Sequence, residues 1–158
     1  FVELARRLPQ YQFIWFGYNP LWQVPRSIRK AVRTKLPNLR FPGYIGSEEL
    51  RSAYWGSDLF LFPTYEETEG IVLLEALASG CPALIRDIPI YEHWLNDGIN
   101  VYKAATVDDF ERRIQDILEN RCPSVTDAAY EVVRSRSLEA VGKQLKEVYE
   151  RCQSGDYT

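Results

Sequence analysis

Apolar positions along the chain fall into short runs with two spacings. Phe1, Val2, Leu4, Ala5 and Leu8 suit the end of an amphipathic helix. Residues 11–18 (YQFIWFGY), rich in aromatics and ending at Gly17, read as a buried strand. Residues 19–25 hold two prolines and form a loop. Ile28, Val32 and Leu36 recur at a spacing of four, which predicts a helix over 27–36 closed by Pro37-Asn38. A short strand over 39–44 follows, then a helix opening near Ser47, with Ser47 or Gly46 at its cap. Residues 58–62 read as a strand that stops at Pro63. Beyond an acidic loop, Gly70 opens an apolar run of helical spacing. Residues 82–86 are strand-like, 89–95 a short helix, 96–98 a turn and 100–103 a last strand. The helix over 106–120 places Val107, Phe110, Ile114, Ile117 and Leu118 on one side. Asp108 and Asp109 favour its amino-terminal end through the dipole. Two more helices, over 124–134 and 137–152, close the chain.

Strands alternating with helices at this pitch predict an α/β domain, a parallel sheet covered on both faces. Such sheets bind ligands beyond the carboxyl ends of their strands. Three spots gather there: Gly17-Tyr18-Asn19, Gly43-Tyr44-Ile45 and the loop over 63–70. A length of 158 residues is one domain's worth. A net charge of −3 argues against a polyanion-binding domain as a whole. Three cysteines, Cys81, Cys122 and Cys152, lack metal-ligand spacing and suit reduced thiols of a cytosolic protein. There is no Met, and the chain opens in mid-pattern, so it reads as a fragment of a longer protein.

The loop over 63–70 is the richest spot. Helix opening at Gly70 leaves the N–H groups of Gly70, Ile71 and Val72 without helical acceptors. Together with the dipole they form an anion site. Glu75 lies about 7–8 Å further along the axis, roughly the step from a diphosphate to its ribose. It stands among Ile71, Val72, Leu73, Leu74, Ala76 and Leu77, where an acid needs a partner. Glu67 lies on the other side of the anion site. For Glu66 and Glu69, helix capping or a solvated loop is the preferred reading.

The run Glu67-Thr68-Glu69-Gly70-Ile71-Val72-Leu73-Leu74-Glu75, followed by Ala76-Leu77-Ala78-Ser79-Gly80-Cys81-Pro82, resembles the E-x7-E motif of the large retaining glycosyltransferase family of GT-B fold. The lead-in Ser57-Asp58-Leu59-Phe60-Leu61-Phe62-Pro63-Thr64 and the Gly43-Tyr44-Ile45 segment match it too. Tyr65-Glu66-Glu67-Thr68-Glu69-Gly70 and Arg86-Asp87-Ile88-Pro89-Ile90-Tyr91-Glu92 look most like bacterial diacylglycerol glucosyltransferases. The resemblance implies a Rossmann-like domain over residues 1–158, the donor-binding C-terminal half of a GT-B enzyme whose first strand lies before Phe1. It implies a retaining hexosyltransferase that takes glucose from UDP-glucose, without cofactor or bound metal, to an acceptor such as a diacylglycerol. Glu67 would face the transferred sugar. Thr68, Glu69, Gly70, Ile71 and Val72 would hold sugar and diphosphate, and Glu75 the ribose. The turns at Gly17-Tyr18 and Gly43-Tyr44 would lie toward the nucleotide. Such a fragment is expected to be inactive without an N-terminal acceptor domain.

Departures from the family pattern set further expectations. Thr68-Glu69 stands where a Gly-Phe pair is usual, so Glu69 must point away from the diphosphate or bind sugar hydroxyls. Arg86-Asp87-Ile88-Pro89 replaces a glycine pair, and Arg86 either faces phosphate or bonds locally. Without a first strand, residues 12–16 and 59–62 either pair directly or take a strand from outside the chain, the latter being preferred. Arg26, Arg29, Lys30 and Arg33 form a basic run suited to a solvated face or to an anionic membrane surface. That would make the protein cytoplasmic and peripheral at the inner face of the cell membrane. No nucleic-acid readout motif appears. His93, the only histidine, reads as a surface or structural residue. The alternatives are a non-catalytic α/β interaction domain and a GT-B epimerase or phosphorylase.

Overall fold

The computed structural model describes residues 1–155. Five parallel strands alternate with helices. Strands β1 (Phe13–Phe16) and β2 (Leu39–Gly43) form one sheet, and β3 (Phe60–Phe62), β4 (Ala83–Arg86) and β5 (Tyr102–Ala104) form a second in that order. The helices are α1 (Val2–Arg7), α2 (Arg26–Val32), α3 (Ser47–Trp55), α4 (Ile71–Ala78), α5 (Val107–Leu118), α6 (Thr126–Ser135) and α7 (Leu138–Ser154). A 3-10 turn, Pro89–Tyr91, stands where a short helix over 89–95 was expected.

Strand β4 shows why helices cover both faces. Its side chains alternate, so Leu84 joins a core with α1 and α5 (Leu4, Leu8, Phe110, Ile114). Ala83 and Ile85 join the opposite core with α4, through Leu73 and Leu77, and with Ala129 of α6. Helix α5 is fixed at its start by a capping box in which Thr106 and Asp109 bond reciprocally. Buried Asn38 donates from Nδ2 to the carbonyls of Ala5, Leu8 and Tyr11 at 2.9, 3.1 and 3.0 Å, tying the end of α1 to the start of β2.

The helix expected over 27–36 stops at Val32. The Thr34 hydroxyl turns back onto the Lys30 carbonyl at 3.0 Å, and Leu36 bridges to Leu39 instead of continuing the spiral. The two sheets are not joined by a ladder between β1 and β3, so the direct pairing of residues 12–16 with 59–62 does not form. The register of β1 on β2 slips between Ile14 and Phe16. Pro42 lies in the slipped stretch of β2 and has no N–H to donate. Buried Phe13 and half-exposed Trp15 both meet the Phe1 ring edge-on, at 5.5 and 5.2 Å.

Candidate functional site at the start of helix α4

Strand β3 delivers the acidic loop, and α4 leaves it. Gly70 makes the junction possible. Its φ of +77° and ψ of 53° are left-handed, and it is buried, so both backbone and space favour glycine. No side chain caps α4. The N–H groups that open the helix therefore have no side-chain acceptor.

The acids around this junction take different roles. The Glu67 carboxylate, half-buried, accepts the N–H of Thr68 at 2.9 Å. Glu69 does not crowd the helix terminus unpaired. Its Oε1 accepts from Arg136 Nη1 at 2.6 Å, and the Arg136 guanidinium lies 3.8 Å from the centroid of the Trp94 ring. Trp94 is anchored in turn by its indole N–H on the Ile90 carbonyl at 2.9 Å. The extra negative charge at the start of α4 is thus balanced by a cation from beyond α6. Glu66 is exposed, and its carbonyl accepts the Thr64 hydroxyl at 2.8 Å.

Glu75 is exposed despite its apolar neighbours, and its partner is Tyr54 of α3, whose hydroxyl lies 3.2 Å from Oε2 and 3.3 Å from the Val72 carbonyl. Burial, helped by the Glu75 carboxylate, holds the Tyr54 phenol well above its ordinary range, so it stays a donor. Ser47, Tyr54, Glu75 and Ser79 line a cavity of about 270 Å³ between α3 and α4.

Arg86, which offered two readings, bonds locally. Its Nε donates to the Pro63 carbonyl at 3.3 Å, its Nη1 to the Ala105 carbonyl, and its guanidinium stacks 4.0 Å from the centroid of Tyr65. It braces the root of the acidic loop. The turns at the ends of β1 and β2 meet in one bond, Gly17 N–H to the Gly43 carbonyl at 2.8 Å, with Tyr18 and Tyr44 exposed beside them. Among the described residues no hydrogen bond or ion pair links these turns to the loop over 63–70. His93 is exposed.

Sequence reasoning missed Tyr54, Tyr91, Trp94 and Arg136. Tyr91, on the 3-10 turn, is buried beneath Gly70, and its hydroxyl has no hydrogen-bond partner. Burial and the nearby Glu67 carboxylate push its phenol up to about 12. Only the apolar setting of Glu75 signalled a partner; the other three carry no local pattern.

Residues 2–133 match the family model described as glycosyl transferases group 1. The chain is 39% identical over 150 residues to a processive diacylglycerol alpha-glucosyltransferase of Acholeplasma laidlawii, covering 95% of this chain and 45% of that protein. It is 34% identical over 95 residues to an alpha-galactosylglucosyldiacylglycerol synthase of Streptococcus pneumoniae, covering 58% of this chain and 25% of that one. The chain thus spans less than half the length of these relatives. Among solved structures, sucrose-phosphate synthase from Thermosynechococcus elongatus superposes with a TM-score of 0.82 at 22% identity, over 98% of this chain and 41% of that one. Anabaena HepE in complex with UDP and glucose superposes with a TM-score of 0.66 at 12% identity, over 94% and 51%.

Proposed function

The chain belongs to the glycosyl transferases group 1 family, and we propose that it is the donor-binding domain of a retaining hexosyltransferase that moves glucose from UDP-glucose to a diacylglycerol lipid. The observation that carries this reading is the uncapped start of α4, with Glu67 before it and exposed Glu75 within its second turn. A diphosphate at the free N–H groups of Gly70, Ile71 and Val72 meets the positive end of the helix dipole. Glu75 then receives the ribose hydroxyls, with Tyr54 steadying one carboxylate oxygen. Glu67 faces the sugar, with Thr68 and Glu69 beside it, and the turns at Gly17-Tyr18 and Gly43-Tyr44 lie toward the nucleotide.

The division of labour follows from where charge develops. As the glycosidic bond to the diphosphate breaks, negative charge grows on the leaving group and positive charge on the sugar ring. The helix N–H groups stabilise the first and the Glu67 carboxylate the second. The pairing of Glu69 with Arg136 keeps a third carboxylate from opposing the diphosphate. The names of the diacylglycerol glucosyltransferase and of the UDP-bound neighbour support the donor and acceptor assigned here. Acceptor binding falls to a companion domain. The test is transfer of labelled glucose from UDP-glucose into diacylglycerol micelles by the complete enzyme. Label in the lipid phase with the α configuration retained is expected. An inverted product, or none with any nucleotide sugar, defeats the reading.

The same reading gives the domain a place at the anionic inner face of the cell membrane. Arg26, Arg29, Lys30 and Arg33 line one concave face of about 500 Å³ on α2, and among the described residues none forms an ion pair. No acid occurs between residues 20 and 46, and Trp22 is 78% exposed. Each such cation contributes about 1 kcal/mol at an anionic surface. No helix of the described residues is long and apolar enough to cross a membrane. Co-sedimentation with phosphatidylglycerol vesicles, lost on replacing the four cations by Gln and absent with phosphatidylcholine, is the expected result. Equal binding to both lipids would defeat it.

A further inference from the structure

The Tyr91 side chain is 0% exposed, and its hydroxyl has no hydrogen-bond partner. A phenylalanine would fill the same space without burying an unpaired polar oxygen. A hydroxyl retained in this state calls for an acceptor that arrives later. The geometry limits which one. A Cβ built on Gly70 would lie 3.2 Å from Tyr91 Oη and 3.6 Å from Glu67 Cγ, so the hydroxyl and the Glu67 stem lie close to one point. Glu67 commits Oε1 to the Thr68 N–H at 2.9 Å, and among the described residues no donor reaches its Oε2.

Resting on the proposed function, we infer that Tyr91 is a positioning residue: with a nucleotide sugar bound, its hydroxyl donates to the Glu67 carboxylate and holds it against the sugar. Enclosed as it is, the hydroxyl cannot itself touch a ligand, so it acts through Glu67. It is a competent donor, because burial and Glu67 push the phenol up to about 12 and keep its proton on at neutral pH. The ring cannot swing aside. Trp94 packs against it edge-on, with ring centroids 5.7 Å apart at 72°, and Trp94 is itself covered by Arg136, whose other contact is Glu69. The loop is therefore gripped at Glu69 by Arg136 and supported at Gly70 by Tyr91. The Glu67 carboxylate, held through Oε1 alone, is the part able to turn Oε2 onto the hydroxyl.

The test is Tyr91→Phe in the complete enzyme, read by thermal unfolding of the ligand-free protein and by steady-state kinetics. The melting temperature is expected to hold or rise, since an unpaired buried oxygen is removed. kcat is expected to fall about tenfold or more, the scale of a lost hydrogen bond to a charged group, with donor KM little changed. Glu67→Gln combined with Tyr91→Phe should lose little beyond Glu67→Gln alone, because both act at one carboxylate. An unchanged kcat overturns the inference. So does a kcat loss that tracks a lowered melting temperature, which would make Tyr91 a packing residue only. Failure of the proposed function is seen separately, in the unaltered enzyme, as no transfer from any nucleotide sugar.

Discussion

Replacing Gly70 by Ala tests the junction on which the site depends. Two costs arise. The left-handed φ of +77° penalises any side chain by about 1–2 kcal/mol. The new methyl would also meet Tyr91 Oη at 3.2 Å, with Glu67 Cγ and Leu73 Cβ at 3.6 Å. A neighbour must give way, and mild overpacking of this kind adds about 1 kcal/mol or more. The internal control is Gly80, just past the other end of α4. Its φ is +72°, but a Cβ there meets nothing within 4 Å. Gly80→Ala should therefore show the backbone cost alone, about 1–2 kcal/mol, and Gly70→Ala about 2–3 kcal/mol. Urea unfolding at equilibrium measures both. Because the crowding involves the phenolic oxygen, Gly70→Ala should cost less in a Tyr91→Phe background, a coupling that a double-mutant cycle reads directly. Equal losses at Gly70 and Gly80, or strict additivity with Tyr91→Phe, would refute the account of this junction.

Further outcomes follow from the same contacts. In the complete enzyme, Glu75→Gln should mainly raise donor KM, and Glu67→Gln mainly lower kcat; small, equal effects at both positions would leave only helix capping for these acids. Arg136→Ala strips Glu69 of its cation and Trp94 of its cover, so donor KM should rise about tenfold with little change in urea midpoint, and Glu69→Gln should restore part of the loss, as measured by steady-state kinetics. The Tyr91 phenol titrates near 10 when unfolded and at about 12 when folded. Between those values the folded state holds the extra proton, so this group's stabilisation, complete below pH 10, falls by about 1.4 kcal/mol per pH unit as pH rises. Stability of the unaltered protein should therefore fall away from that of Tyr91→Phe over that range, as measured by urea unfolding, and parallel curves would contradict the assignment.

Much of this site was legible before any coordinates. Alternating short apolar runs and helical repeats indicated a parallel sheet with helices on both faces. Gly70 followed by an apolar run marked the start of α4, because glycine and helix starts are local features with local causes. Glu75 announced a partner through its apolar setting, although the partner, Tyr54, could not be named. What escaped the reading is tertiary. Arg136 meets Glu69 across 67 residues, and nothing near either marks the other. Tyr91 looked like an ordinary aromatic in a short helix; only packing shows its hydroxyl stranded beneath Gly70. The spacing of four that continues to Leu36 extends beyond α2, because the Thr34 hydroxyl bond to the Lys30 carbonyl accompanies the end of the helix at Val32.

A nucleotide sugar bound at the start of α4 underlies every functional role assigned above. Titration of the isotopically labelled chain with UDP-glucose, followed by backbone amide NMR, tests it most directly. The expected result is saturable shifts centred on Gly70, Ile71 and Val72, extending to Glu67, Glu75 and the Gly43-Tyr44 turn, and weakened by Glu75→Gln. Shifts confined to Arg26, Arg29, Lys30 and Arg33 on α2, unchanged by Glu75→Gln, would mean simple charge attraction and would contradict it.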